Sequence, residues 1–138
     1  MADITARKAS TDRQDGEVYH FKQGAEAIFE GALVAINAAG FAVNAGDDAS
    51  TVVVGVADNS VDNSGGSAGD TEILVRRTGV FTFNTAYTAA QTDVNNLATA
   101  SDNQTVDLAA NTTNDIVVGR IVEVLSTSKV RVDIRDRV

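Results

Sequence analysis

A chain of 138 residues without cysteine and with a single histidine is long enough to bury a core without disulfide staples, and it offers neither a thiolate metal site nor a cysteine nucleophile. Its formal net charge of -8 is unevenly spread: between Gln23 and Val75 there is no lysine or arginine, while Asp47, Asp48, Asp58, Asp62, Asp70 and Glu72 lie there, so that half repels nucleic-acid phosphates. No apolar run reaches membrane length and the opening MADITARKAS has no apolar signal core, which sets the expectation of a soluble chain not secreted through a cleaved leader.

Taken in order, residues 1–16 are polar, mixed in charge and free of apolar periodicity, so they read as an extended N-terminal arm that gains order on a partner. Residues 17–138 are then expected to form a single β-domain. EVYHFK sets Val18, His20 and Lys22 against Tyr19 and Phe21, a first strand with its aromatics inward. A short helix is weakly suggested around residues 25–30. IFEGALVAIN (residues 28–37), a turn at Ala38-Ala39-Gly40 and a return at Phe41-Ala42-Val43-Asn44 read as a hairpin. STVVVGVA (residues 50–57) is too rich in β-branched side chains for a good helix, and residues 58–70 are a polar, glycine-rich loop.

The longest strand-like stretch is TEILVRRTGVFTF (residues 71–83), with the adjacent Arg76 and Arg77 and an interrupting glycine, Gly79. A glycine inside a strand marks a bulge, a bend or a close backbone approach, so this is either one bent strand or two strands meeting at Gly79. Residues 84–96 fit one helical turn or a loop. Short strands follow at residues 97–99 and 105–109. DIVVGRIVEVL (residues 115–125), a Ser126-Thr127-Ser128 turn and KVRVDIR close the chain, with Val130, Val132 and Ile134 alternating against Lys129, Arg131, Asp133 and Arg135.

A faint repeat joins the halves, for Val52-Val53-Val54-Gly55-Val56 parallels Ile116-Val117-Val118-Gly119-Arg120-Ile121. Either the two strands hold related places in a closed or nearly closed sheet, flanking the central stretch, or valine-rich strands look alike by chance. On both readings the fold class is all-β, a small β-barrel or β-sandwich of short antiparallel strands. With no proline in the chain, no edge strand is blunted by that device, so pairing with another chain is expected wherever an edge stays exposed.

No catalytic constellation emerges. His20 has no acid and nucleophile beside it in sequence and reads as structural. The oxygen-rich loop at residues 58–70 lacks the glycine and terminal glutamate positions of a calcium loop, counted from Asp58 or from Asp62. Phosphate-loop, dinucleotide and hydrolase motifs are missing, and the few aromatics, with Phe29, Phe41, Phe81 and Phe83 assigned to the core, leave little for stacking on bases. An enzyme with two dispersed carboxylates would need a cleft holding two perturbed acids. The basic groups, Arg7, Lys8, Arg13 and Lys22, then Arg76 and Arg77, then Arg120, then Lys129, Arg131, Arg135 and Arg137, read as solvated faces or as a segregated contact surface.

The order of segments over residues 17–134 resembles the small capsid cement, or decoration, proteins of tailed bacteriophages. The residues that carry it are Gly55-Val56-Ala57 closing a valine-rich strand, the glycine-rich loop, Ile73-Leu74-Val75, Gly79-Val80-Phe81, and Val118-Gly119-Arg120-Ile121-Val122 before a terminal Val130-Arg131-Val132 strand. The resemblance implies a compact β-domain, commonly a homotrimer, that binds the outer surface of an icosahedral shell and braces major capsid protein subunits. It implies no enzymatic activity and no cofactor, and a place on the virion after synthesis in the host cytoplasm. Under it, Arg7, Lys8, Arg13, Arg76 and Arg77 become candidate contacts with capsid or sister subunits, and Gly79 a structural bend. A carbohydrate-binding or adhesive β-module of a virion or cell surface is the alternative, weakened by the scarcity of aromatics.

Overall fold

The computed structural model of the chain describes residues 17–136; Arg7, Lys8 and Arg13, with the rest of the arm, lie outside the described residues. The strands are β1 (Val18–Lys22), β2 (Ala27–Ile28), β3 (Leu33–Ile36), β4 (Ala42–Asn44), β5 (Val52–Ala57), β6 (Val61–Asp62), β7 (Glu72–Arg76), β8 (Val80–Thr85), β9 (Leu97–Ala100), β10 (Thr105–Leu108), β11 (Val117–Ser126) and β12 (Lys129–Asp133). Among the described residues the only helical turns are two 3-10 turns, Gln91–Asp93 and Ala109–Asn111. Of residues 84–96, Asn84 and Thr85 belong to the end of β8, and the rest form a loop that carries the first of these turns. The helix suggested near residues 25–30 is not formed: Ala27 and Ile28 pair with Asp62 and Val61 in a two-stranded ribbon, β2 with β6.

The fold is all-β, and its plan is used twice. One set of strands runs β1-β7-β5-β3-β4, and the other, β8-β12-β11-β9-β10, closes into a barrel. Numbered within each set, the order is first, fifth, fourth, second, third in both. The registers agree residue by residue. Leu33, Val34 and Ala35 face Val56, Gly55 and Val53, with a bulge that skips Val54; Leu97, Ala98 and Thr99 face Arg120, Gly119 and Val117, with a bulge that skips Val118. Val18 and Phe21 of β1 face Arg76 and Ile73, as Val80 and Phe83 of β8 face Asp133 and Val130.

The seams match too. Val106 pairs in parallel with Thr85 to close the second barrel, and Ala42 makes the corresponding parallel bridge to Gln23. Both seams depart from the antiparallel pairing expected throughout. The first set is held there by a single bridge, so its barrel is closed only at one point.

The shared bulge explains the Val-Val-Gly pattern. A Cβ on Gly55 would stand 2.1 Å from the Arg76 carbonyl oxygen, and one on Gly119 would stand 2.1 Å from that of Asp133. The backbones approach so closely that no side chain fits between them. The repeat therefore marks one packing solution applied at two equivalent places.

The interiors follow. Val34, Ala42, Val54, Ile73 and Val75, with Phe21 and Ile36 against them, fill the first barrel. Their counterparts Ala98, Val106, Val118, Val130 and Val132, with Phe83, fill the second. Leu33, Ala35, Val53 and Val56 face the other way and join the second core. As a result Leu33, Val34 and Ala35 are all buried, and β3 is an unbroken apolar run because both of its faces are covered. Leu33, Val53 and Val56 each contribute about 1.5–3 kcal/mol of burial, which binds the two barrels into one body.

Candidate interaction surfaces

The stretch at residues 71–83 is two strands, the last of the first barrel and the first of the second. Gly79 lies between them at a φ of +132, which an L side chain rarely adopts, and a Cβ there would press on the Phe81 ring at 3.1 Å. Gly79 is thus the pivot at which the chain leaves one barrel for the other.

Arg76 and Arg77 leave the strand end in different directions, as alternation requires. The Arg76 guanidinium donates to the Asp58 carboxylate at 3.0 Å and lies 3.9 Å from that of Glu17. Arg77 lies over the rings of Tyr19 and Phe21, 5.9 Å from each centroid, and its Nε–H donates to the Val54 carbonyl. Both tie elements of the first barrel together. Arg77 remains exposed and Arg76 half-exposed. Arg120 and Arg131 serve the second barrel in the same way, against Asp136 and Glu123.

The polar loop is organised from within. Asn63, buried, donates from its side-chain nitrogen to the carbonyls of Gly24 and Ser67, while the buried Gln23 donates to those of Glu26 and Val61. Asp62 accepts from the backbone and hydroxyl of Ser64, and these bonds hold its carboxyl below the usual range. The loop's side-chain oxygens are taken up by nearby protein donors: Asp62 and Asp70 by Ser64 and Ser67 of the loop, Asn59 and Asp58 by Leu74 and Arg76 of β7. Among the described residues no group of three or more acidic or histidine side chains is placed to hold a metal ion.

A second carboxylate clamps the barrels together. Asp47, after β4, accepts from the backbone N–H groups of Thr113 and Asn114 at 2.8 Å each, and the Asn114 side chain donates to its carbonyl. The two backbone bonds hold its carboxyl below the ordinary value. Tyr87 shows the opposite case: its hydroxyl is buried without a hydrogen-bond partner. Burial, reinforced by Asp93 and Asp107, pushes its pKa up to about 12.

The apolar surface differs from the expected one at Phe29, which is 67% exposed rather than in the core. It sits on the tight turn between β2 and β3, where the chain reverses before the buried Ala32. Among the described residues, Val52, Val80, Val122 and Leu125 are the other large apolar side chains left in solvent. His20 is exposed on the outer face of β1, 4.0 Å from Glu72. No helix among the described residues is long and apolar enough to cross a membrane.

No family model matches the chain. No curated protein matches it in sequence either.

Proposed function

We propose that this chain is a structural virion protein of the cement or decoration class, which binds the outer surface of an icosahedral phage capsid as a homotrimer and braces neighbouring major capsid protein subunits. The observation that carries the reading is the order of segments behind the resemblance. Gly55-Val56-Ala57 ends β5, Ile73-Leu74-Val75 lies in β7, Gly79 precedes β8, which Val80 and Phe81 open, and the two terminal runs pair as β11 and β12. An acidic body supports it further, since such a surface is repelled by packaged nucleic acid and suits the outside of a shell.

The mechanism is linkage. A protein that binds the assembled shell and not its separated pieces stabilises the shell by mass action, about 2.7 kcal/mol per site at a hundredfold excess over Kd. Repetition over the lattice makes modest single contacts sufficient. In this reading the arm, with Arg7, Lys8 and Arg13, docks on adjacent subunits, and the exposed faces of Arg76 and Arg77 lie at a contact.

The test is co-sedimentation of the full chain with purified shells. Saturable binding with a raised shell melting temperature is expected; no binding at any concentration would contradict the proposal. Deletion of residues 2–16 is expected to lower occupancy, and undiminished occupancy would remove the arm from the mechanism. The Arg76→Ala/Arg77→Ala double variant, shown to be folded, is expected to bind more weakly, and unchanged binding would remove those side chains.

A further inference from the structure

Strand β8 has an edge that faces a cleft. Its bonds to β12 are made by alternate residues: Ile134 donates to the Gly79 carbonyl, and Thr85 donates to that of Ser128. In an antiparallel pair, the intervening residues turn their N–H and C=O groups to the opposite edge. Asn84 accordingly donates to Gln104 on that side, and the parallel ladder with β10 covers only Asn84 and Thr85. Val80 and Thr82 point the same way, and no strand among the described residues covers them.

That uncovered edge opens into a cleft of about 320 Å³ between the barrels, lined on one side by Phe81, Thr82 and Phe83 and on the other by Glu30, Asp58 and Arg76. A second hollow of about 310 Å³ continues it past Glu30 and Gly31 to the exposed Phe29 and to Gln104. The charge in the cleft is one-sided. Arg76 is already engaged by Asp58 and Glu17, whereas the Glu30 carboxylate makes no ion pair among the described residues. A free backbone edge, the half-buried Phe81 and an unneutralised carboxylate together specify an occupant: an extended strand with apolar side chains and a lysine or arginine.

We propose that the inter-barrel cleft binds an extended, basic segment of a partner protein, which adds as a strand to the Val80–Thr82 edge of β8 and sets its cation against Glu30. The inference does not rest on the proposed virion role, although the cleft shares Arg76 with the contact suggested there, because it is argued from backbone geometry and charge alone.

The experiment uses the full chain, isotope-labelled, titrated with a short acetylated and amidated peptide that alternates valine with threonine and lysine. Parallel titrations use the same peptide with glutamate for lysine and with alternate backbone nitrogens methylated. Saturable shifts and slowed amide exchange at Val80 and Thr82 are expected, with affinity at least about tenfold weaker for the glutamate and methylated peptides and for the exposed-site variant Glu30→Lys. Equal affinity for the lysine and glutamate peptides, shifts confined to other strands, or no binding up to about 1 mM would overturn the proposal. So would concentration-dependent protection of Thr82 without peptide, which would make a second copy of this chain the occupant.

Discussion

The decisive residues are small or polar ones whose role is visible only through their neighbours. Gly55 and Gly119 each lie against a carbonyl of the next strand, so Gly55→Ala and Gly119→Ala are expected to cost about 1–3 kcal/mol or more by overpacking, read as a lowered urea midpoint. At Gly55 the alanine would also be held at a φ of +154, which an L side chain rarely adopts. Tyr87→Phe should go the other way. It removes a buried hydroxyl without a partner, so it is expected to leave stability unchanged or to raise it by up to about 1 kcal/mol. Asp47 gives a pH signature. Its folded carboxyl lies below the ordinary 3.8, so the stability it contributes is present above that value and is lost as pH falls through the lower folded one. Asp47→Ala should therefore melt earlier than the parent at pH 7, with the gap closing in strong acid.

At the scale of elements, periodicity exposed most of the strands and missed those that do not obey it. Val130, Val132 and Ile134 alternate and are fully buried, so β12 was legible at once. β3 was legible only as an apolar run, because the second barrel that covers its outer face comes from residues far along the chain. The β2–β6 ribbon was hidden for a different reason. Two-residue strands carry no period, and the ribbon is held by the side chains of Gln23 and Asn63 together with one buried apolar residue, Ile28, against which Val61 packs. Asn63→Ala is accordingly expected to cost about 1–3 kcal/mol through the orphaned carbonyls, with hydrogen exchange in residues 61–70 accelerating more than in β12. Leu33→Ala, at the join of the two cores, is expected to cost about 2–5 kcal/mol in one cooperative transition spanning both barrels.

For the whole molecule, the duplicated Val-Val-Gly pattern was the trace of a larger identity: two five-stranded sets with one order, one bulge and one seam. Their outer residues have no such likeness. Arg76 stands where the second set has Asp133, and Glu72 where it has Lys129. The cores repeat while the surfaces differ, so the two barrels present different faces to any partner. Candidate contacts were legible only as charges; that Arg76 is spent on Asp58 and that Glu30 is left alone in a cleft depends on contacts across the fold. The most direct test of the cement reading is electron microscopy of purified shells with and without the chain, alongside sizing of the free protein. The reading predicts added density on the outer surface at local threefold positions, three chains to each. Shells that look identical with and without saturating protein would contradict it.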